Sequence, residues 1–223
     1  GGAGGVELAL STQFRLQGEL RAAGKDPSQL DYRLLTRGPA IMPGHSKGVR
    51  QRFERICRER GIVVETNSPV SVVAGDHVET ADGRSLTADA VIWVTTASAP
   101  AWMRESGLAV DDDGFIRVDY KLQSLSHEHV FAAGDIASLQ DPRPKSGVFA
   151  VRQGKVLADN LRAAATGQGL RPYRAQKRFL GLISTGDRYA VASYGNWSFE
   201  SAQLWRIKDW IDRRFMTNFS DLP

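Results

Sequence analysis

The chain has 223 residues, 42% hydrophobic, 9% aromatic and 24% charged, which supports a buried core and excludes disorder, collagen-like repeats and a disulfide scaffold. Twenty-nine basic against 25 acidic residues leave a net charge of +4, without the clustered cations of a nucleic-acid binder, so no nucleic-acid partner is expected. No apolar run approaches the roughly 18–20 residues needed to cross a bilayer, and the first residues carry no export signal, which reads as a cytoplasmic protein.

The chain opens in Gly1-Gly2-Ala3-Gly4-Gly5-Val6-Glu7, a glycine-rich turn of the kind that follows a strand, with no strand ahead of it. Apolar residues at Val6, Leu8, Leu10, Phe14, Leu16 and Leu20 predict a helix from Val6 to Ala22. Lys25 to Ser28 is a turn, and Tyr32 to Thr36 a short strand ended by Gly38-Pro39. Lys47 to Arg60 is an amphipathic helix with Val49, Phe53, Ile56 and Cys57 on one stripe and Gly61 as its stop. Cys57 is the only cysteine, so an internal disulfide, a C-x-x-C pair and a multi-cysteine zinc site are excluded, and redox chemistry needs another carrier.

Ile62 to Glu65, Val70 to Val73, His77 to Thr80 and Ala90 to Val94 follow as strands, suggesting an antiparallel excursion before a final buried strand. Beyond Pro100, Phe115 to Val118 and His129 to Ala132 read as strands, and Ser146 to Ala165 as a helix. Phe179 to Ser184 and Tyr189 to Tyr194 form a hairpin, and Ser201 to Met216 an amphipathic helix. The fold class is α/β. Residues 1–98 read as a Rossmann-like nucleotide-binding domain lacking its first strand, with boundaries then expected near residues 99–168 and 169–223. His45, His77, His127 and His129 show no metal-ligand spacing.

Glycines between a strand and a helix let backbone approach a pyrophosphate, and the helix N-terminus supplies unpaired N–H groups for it. Gly2 and Gly5 fit the second and third glycines of G-x-G-x-x-G. A flexible glycine tail and the loop of an S-adenosylmethionine enzyme fit the same residues. Glu7 is either a nucleotide contact or an acid favoured by the helix dipole. The strand after the first helix ends in Arg37, where an acid would accept the ribose hydroxyls of NAD. Arginine there leans toward the 2′-phosphate of NADP, or is a solvated loop charge.

Ser124 to Asp135 is more specific. Its spacing resembles the second FAD fingerprint of the pyridine nucleotide-disulfide oxidoreductase superfamily, with Gly134 and Asp135 at the Gly-Asp pair and Ser124 where threonine is usual. Asp89 to Thr96 is similar to the strand leaving the nicotinamide domain, with Thr96 in a place usually held by glycine; this aligns Thr95 and Thr96 with the nucleotide site. Pro144 to Gly154 resembles the flavin-facing loop and helix of type II NADH dehydrogenases and sulfide:quinone reductases. Arg37 to His45 and Leu204 to Met216 resemble a related domain fused to selenide, water dikinase in some bacteria.

The resemblance implies an N-terminally truncated FAD-dependent NAD(P)H oxidoreductase: a nicotinamide-binding domain, the C-terminal part of a split FAD-binding domain and a small α+β tail. Hydride passes from NAD(P)H to FAD and electrons go on to a quinone or another small acceptor. It implies FAD contacts from Gly134, Asp135, Lys145, Ser146, Gly147 and Val148, with Lys145 tuning the flavin, and NAD(P) contacts from Gly2, Gly5, Glu7, Arg37, Thr95 and Thr96. Gln153 lies in a glutamine-containing motif of quinone-reducing relatives. The alternative is a non-catalytic dinucleotide-binding regulatory module. In the last helix Leu204, Ile207, Ile211 and Phe215 form one stripe with Trp205 and Trp210 on its flanks, a pattern for packing, homodimer contact or peripheral membrane attachment.

Overall fold

The glycine run is helical from its third residue onward. In the computed structural model, which describes residues 1–220, α1 spans Ala3–Ala22 with Gly2 as its extended N-cap, so Gly4 and Gly5 lie in the first turn and not in a loop before it. Its buried stripe is Val6, Ala9, Leu10 and Gln13 at i, i+3, i+4, i+7. Leu8, Phe14 and Leu16, grouped with that stripe from the sequence, face outward. Leu8 stands two residues from both Val6 and Leu10, which at helical pitch is the far side.

The strands β1 (Tyr32–Leu35) and β2 (Ile62–Glu65) pair in parallel from Tyr32↔Ile62 to Leu35↔Glu65, joined through α2 (Lys47–Glu59). Ser46 caps α2 by accepting the Val49 amide, and Gly61, at φ +71°, ends it. Val49, Phe53, Ile56 and Cys57 are buried as their spacing requires and pack with Val6, Leu10, Leu34, Ile62, Ile183 and Val191. Burial pushes the Cys57 thiol up to about 11, so it behaves as a small apolar residue. The excursion is an antiparallel sheet of β3 (Val70–Val73), β4 (His77–Thr80) and β5 (Ser85–Thr87), the last unforeseen because three residues carry almost no period.

The final strand expected at Ala90–Val94 does not form. Val91, Ile92, Trp93 and Val94 are 41–59% exposed and join no sheet among the described residues. A strand needs a hydrogen-bonding neighbour as well as an apolar sequence, and among the described residues no strand pairs with this segment.

By contacts the chain divides into two units, Gly1–Thr95 with the chain from Leu180 on, and Thr96–Phe179. The second contains α3 (Trp102–Glu105), β6 (Ile116–Val118), β7 (Ala137–Leu139) and α4 (Gly147–Ala165), with β6 and β7 parallel. Met103, Ile116, Val118, Leu122, Ala132, Ala137 and Tyr173 form its core. The strand expected at His129–Ala132 is reduced to local pairing, Ser124 N–H to Val130 O and Ala132 N–H to Leu122 O. The regular strand comes after the Gly-Asp pair, which therefore precedes β7 in a 3-10 turn over Gly134–Ile136 instead of ending a strand.

The tail adds a sheet ordered β10–β9–β8, from β8 (Gly181–Ser184), β9 (Ala190–Tyr194) and β10 (Trp197–Ser201), and then α5 (Ala202–Ser220). It groups with the first unit, while residues 169–179 stay with the second. Gly186, at φ +86°, is required: a Cβ there would stand 2.7 Å from Ser11 Cα. The expected α5 stripe is corrected, because Leu204, Trp205, Lys208 and Asp209 are half-buried while Ile207, Ile211 and Phe215 are exposed, as is everything from Trp210 to Ser220. No described helix is long and apolar enough to cross a membrane.

Candidate functional site

A cleft of about 150 Å³ opens in the second unit beside the Gly134–Asp135 turn, with Phe115, Arg143, Lys145, Ser146 and Gln153 among its walls. Gly134 has φ +72°, and a Cβ there would meet the Ala150 Cβ at 3.4 Å, so glycine suits both the conformation and the close approach to α4. Its amide donates to Gln153 Oε1 at 2.6 Å. Gln153 is buried, so this bond fastens the turn to α4 from beneath. The Asp135 side chain is exposed and pairs with nothing among the described residues, leaving its carboxylate available to accept hydrogen bonds from hydroxyls.

Lys145 is a strut for the same turn. Its Nζ donates to Asp135 O at 2.6 Å and Ala137 O at 3.2 Å and lies 3.6 Å from the Phe115 ring centroid. Desolvation holds its pKa below the usual lysine range against the opposing pull of Asp111, Asp135 and Asp113. The neighbouring Ser146 is the N-cap of α4 but makes no capping bond, and its Oγ is buried without a partner among the described residues. Gly147 is exposed and Val148 half-buried in the first turn. The N-terminus of a 19-residue helix thus presents unmet N–H groups beside one unpaired hydroxyl. An acceptor carboxylate at one wall and donors at another suit a hydroxylated chain ending in an anionic or electron-accepting group. A cleft of this size takes part of such a molecule, not a whole dinucleotide.

In the first unit, Gly1 abuts the end of β1: a Cβ there would collide with Thr36 Oγ1. Gly2 is exposed, and a Cβ at Gly5 would stand 3.8 Å from Val94 Cβ, an ordinary contact, so packing here does not by itself demand glycine. Arg37 follows Thr36, exposed and unpaired among the described residues. Glu7 is elsewhere engaged. Its Oε1 accepts the Ser184 amide at 3.0 Å and lies 3.5 Å from Lys208 Nζ, so it ties α1 to β8 and α5. Thr95 closes the first unit and Thr96 opens the second, both exposed.

Sequence reasoning singled out Gln153 for its motif but not as the brace of the Gly134 turn, and it missed Asn160 on the same helix. Asn160 is fully buried; its Nδ2 donates to Lys121 O at 2.7 Å and Arg171 O at 2.8 Å, and its Oδ1 accepts the Arg171 amide at 2.8 Å. The signal was available, since Phe149, Gln153 and Asn160 follow helical spacing and a polar residue on an apolar stripe requires partners.

A parallel β–α–β crossover with a glycine-started helix, an antiparallel insertion and a Gly-Asp turn braced on a second helix define a Rossmann-like α/β fold. The chain belongs to the pyridine nucleotide-disulphide oxidoreductase family, whose profile matches residues 1–154. It is 29% identical over 202 residues to the demethylphylloquinone reductase of Synechocystis, covering 86% of this chain and 47% of that protein. It is 24% identical over 204 residues to the type II NADH:quinone oxidoreductase of Haemophilus influenzae, covering 88% and 46%. The chain thus spans about half the length of these relatives. Among solved structures it resembles the sulfide:quinone oxidoreductase of Aquifex aeolicus, with TM-score 0.70 and 16% identity, over 94% of this chain and 53% of that one. It also resembles NDH2 of Plasmodium falciparum in complex with NADH, with TM-score 0.77 and 13% identity, over 92% and 59%.

Proposed function

We propose that this chain is the pyridine-nucleotide half, together with the second FAD-binding stretch, of a flavin-dependent NAD(P)H oxidoreductase that delivers electrons to a quinone. The carrying observation is the Gly134–Asp135 turn, braced by Gln153 and Lys145, with an unpaired carboxylate and an unpaired Ser146 hydroxyl at one cleft. Family membership and the relatives named as quinone reductases support it, and the shared half-length supports the reading that further sequence completes the flavin site.

When bound, FAD supplies hydride acceptance and onward electron transfer. The residues of this chain hold and bias it. Asp135 accepts hydrogen bonds from ribityl hydroxyls, and Gly134 keeps side-chain bulk out of the approach. Ser146, Gly147 and Val148 at the N-terminus of α4, together with the Lys145 ammonium, would help hold the flavin and would favour negative charge developing on it. In the first unit the α1 N-terminus behind Gly2 and Gly5 would take the pyrophosphate of the pyridine nucleotide, and Thr95, the last residue of that stretch, is assigned with its neighbour Thr96 to nucleotide binding by the family motif alone. Glu7, held by Ser184 and Lys208, serves the packing of α1.

The exposed half of α5, with Trp210, Ile211, Phe215, Met216 and Phe219 and the cations Arg213 and Arg214, supports peripheral contact with a membrane that carries the quinone. The likeness of Arg37–His45 and of Leu204–Met216 to the domain fused with selenide, water dikinase supports that subfamily. The test is purification of the protein with its complete flavin site. A yellow product whose absorbance near ~450 nm bleaches with NADH or NADPH and returns on adding a quinone is the expected result. A colourless protein that FAD cannot reconstitute overturns the reading.

A further inference from the structure

Two of the similar proteins, the type II NADH:quinone oxidoreductase and NDH2 in complex with NADH, are described with NADH, but the charges at the nucleotide end of the first unit point elsewhere. We propose that this chain selects NADPH, and that Arg37 is the residue that does so by pairing with the 2′-phosphate. The inference rests on the dinucleotide reading above and deepens it.

Position comes first. Gly1 touches Thr36, so the end of β1 lies beside the start of α1, and Arg37 is the next residue along the chain. In a Rossmann-like unit, the group at the end of this strand meets the adenosine ribose of a nucleotide whose pyrophosphate sits on the helix N-terminus.

Charge comes second. Between residues 36–40 and 65–69, the segments that leave β1 and β2, Glu65 is the only acid. Its carboxylate is already committed: Arg84 Nη1 donates to Oε2 at 2.7 Å and Arg33 Nη1 to Oε1 at 3.2 Å. The Arg84 hydrogen bond, helped by Arg33, holds the Glu65 carboxyl below its usual range and keeps it ionised and occupied. Arg33 is shared with Asp31, and Arg84 with Asp82, each at 2.9 Å. The acids of this edge are therefore spent on arginines, and no carboxylate at the two strand ends remains to accept ribose hydroxyls. Arg37 is the unspent charge, exposed and without a partner among the described residues.

A guanidinium offers several donors in a fork that matches a phosphate and offers little to a bare 2′-hydroxyl. Selection then follows from a cation where an NAD site places an acid. Because the contact is exposed, it weakens as ionic strength rises.

The experiment is calorimetric titration of the purified protein with 2′,5′-ADP and 5′-AMP, which differ only by the 2′-phosphate, followed by NADPH and NADH. The expected result is at least about tenfold tighter binding of 2′,5′-ADP, in the range of a charge-assisted pair, with the margin shrinking in salt. Arg37→Ala removes the margin and leaves 5′-AMP binding unchanged, and Arg37→Lys keeps part of it. Unchanged melting curves show that these exposed substitutions leave the fold intact. Equal binding of the two probes, or a preference for NADH, overturns the selection while leaving the dinucleotide reading standing. A preference that survives Arg37→Ala overturns the assignment to Arg37. Silence toward all four nucleotides overturns the underlying reading and this inference with it.

Discussion

Gln153 Oε1 accepts the Gly134 amide at 2.6 Å, joining the second turn of α4 to the glycine that precedes the exposed Asp135. Gln153→Leu leaves the half-buried Gly134 N–H without its partner, at up to about 1–3 kcal/mol. The variant is expected to melt earlier and, in the complete flavoprotein, to lose FAD faster on dilution. Gln153→Glu retains an acceptor oxygen and recovers part of the retention. Equal flavin retention in all three proteins would detach Gln153 from the site.

Asn160 stitches Lys121 and Arg171 to α4 through three hydrogen bonds, with no exposure to solvent. Asn160→Leu abandons two carbonyls and one amide together. The expected loss is about 2–4 kcal/mol, from several buried polar groups losing partners at once. Chemical denaturation followed by far-UV circular dichroism measures it, and a change below about 1 kcal/mol would show that water replaces the amide.

His45 Nδ1 lies 2.8 Å from Ser193 Oγ, and burial holds the ring below its ordinary value of 6.5. The unfolded chain therefore binds the proton more readily than the folded one. Stability is undiminished by this group above the unfolded value and falls as pH drops through the window below it. Melting temperatures between pH 7.5 and 5 are expected to fall less in His45→Gln, which keeps a hydrogen-bonding side chain without titrating. Parallel slopes for the two proteins would assign the acid sensitivity elsewhere.

The free half of α5 gives a fourth expectation. Trp210 and Phe215 are 58% and 38% exposed, with Arg213 and Arg214 between them and Arg214 over the Trp210 ring. Co-sedimentation with vesicles rich in anionic lipid is expected, and Trp210→Glu with Phe215→Glu reduces it at least about tenfold, since each ring forfeits roughly 1.5–3 kcal/mol of burial. Binding that ignores both substitutions would remove α5 as the contact.

These residues also show what could be read in advance. The α2 stripe was legible because Val49, Phe53, Ile56 and Cys57 repeat at helical pitch ahead of a glycine stop, while the Ser46 cap emerged only from the structure. The Gly134–Asp135 turn was legible as a motif, yet its place before β7 was not, because Ala137–Leu139 is three residues long. Val91–Val94 was misread for a different reason: apolar β-branched residues satisfy the local pattern of a strand, whereas pairing is decided by what lies alongside. Glu7 shows the same limit, since its link to Ser184 spans nearly the whole chain. Thirty-five positions separate the Gly1 backbone from Thr36, and no local rule foresaw their contact.

Cys57 sits sealed in the core of the first unit, the sole thiol in the chain. Alkylation has to wait until α2 lifts away, so a thiol reagent in excess clocks the opening of that core and of nothing else. The second unit is invisible to the same chemistry. One native side chain therefore allows the nucleotide half to be timed separately, and a nucleotide that clasps this unit will register as a slower clock.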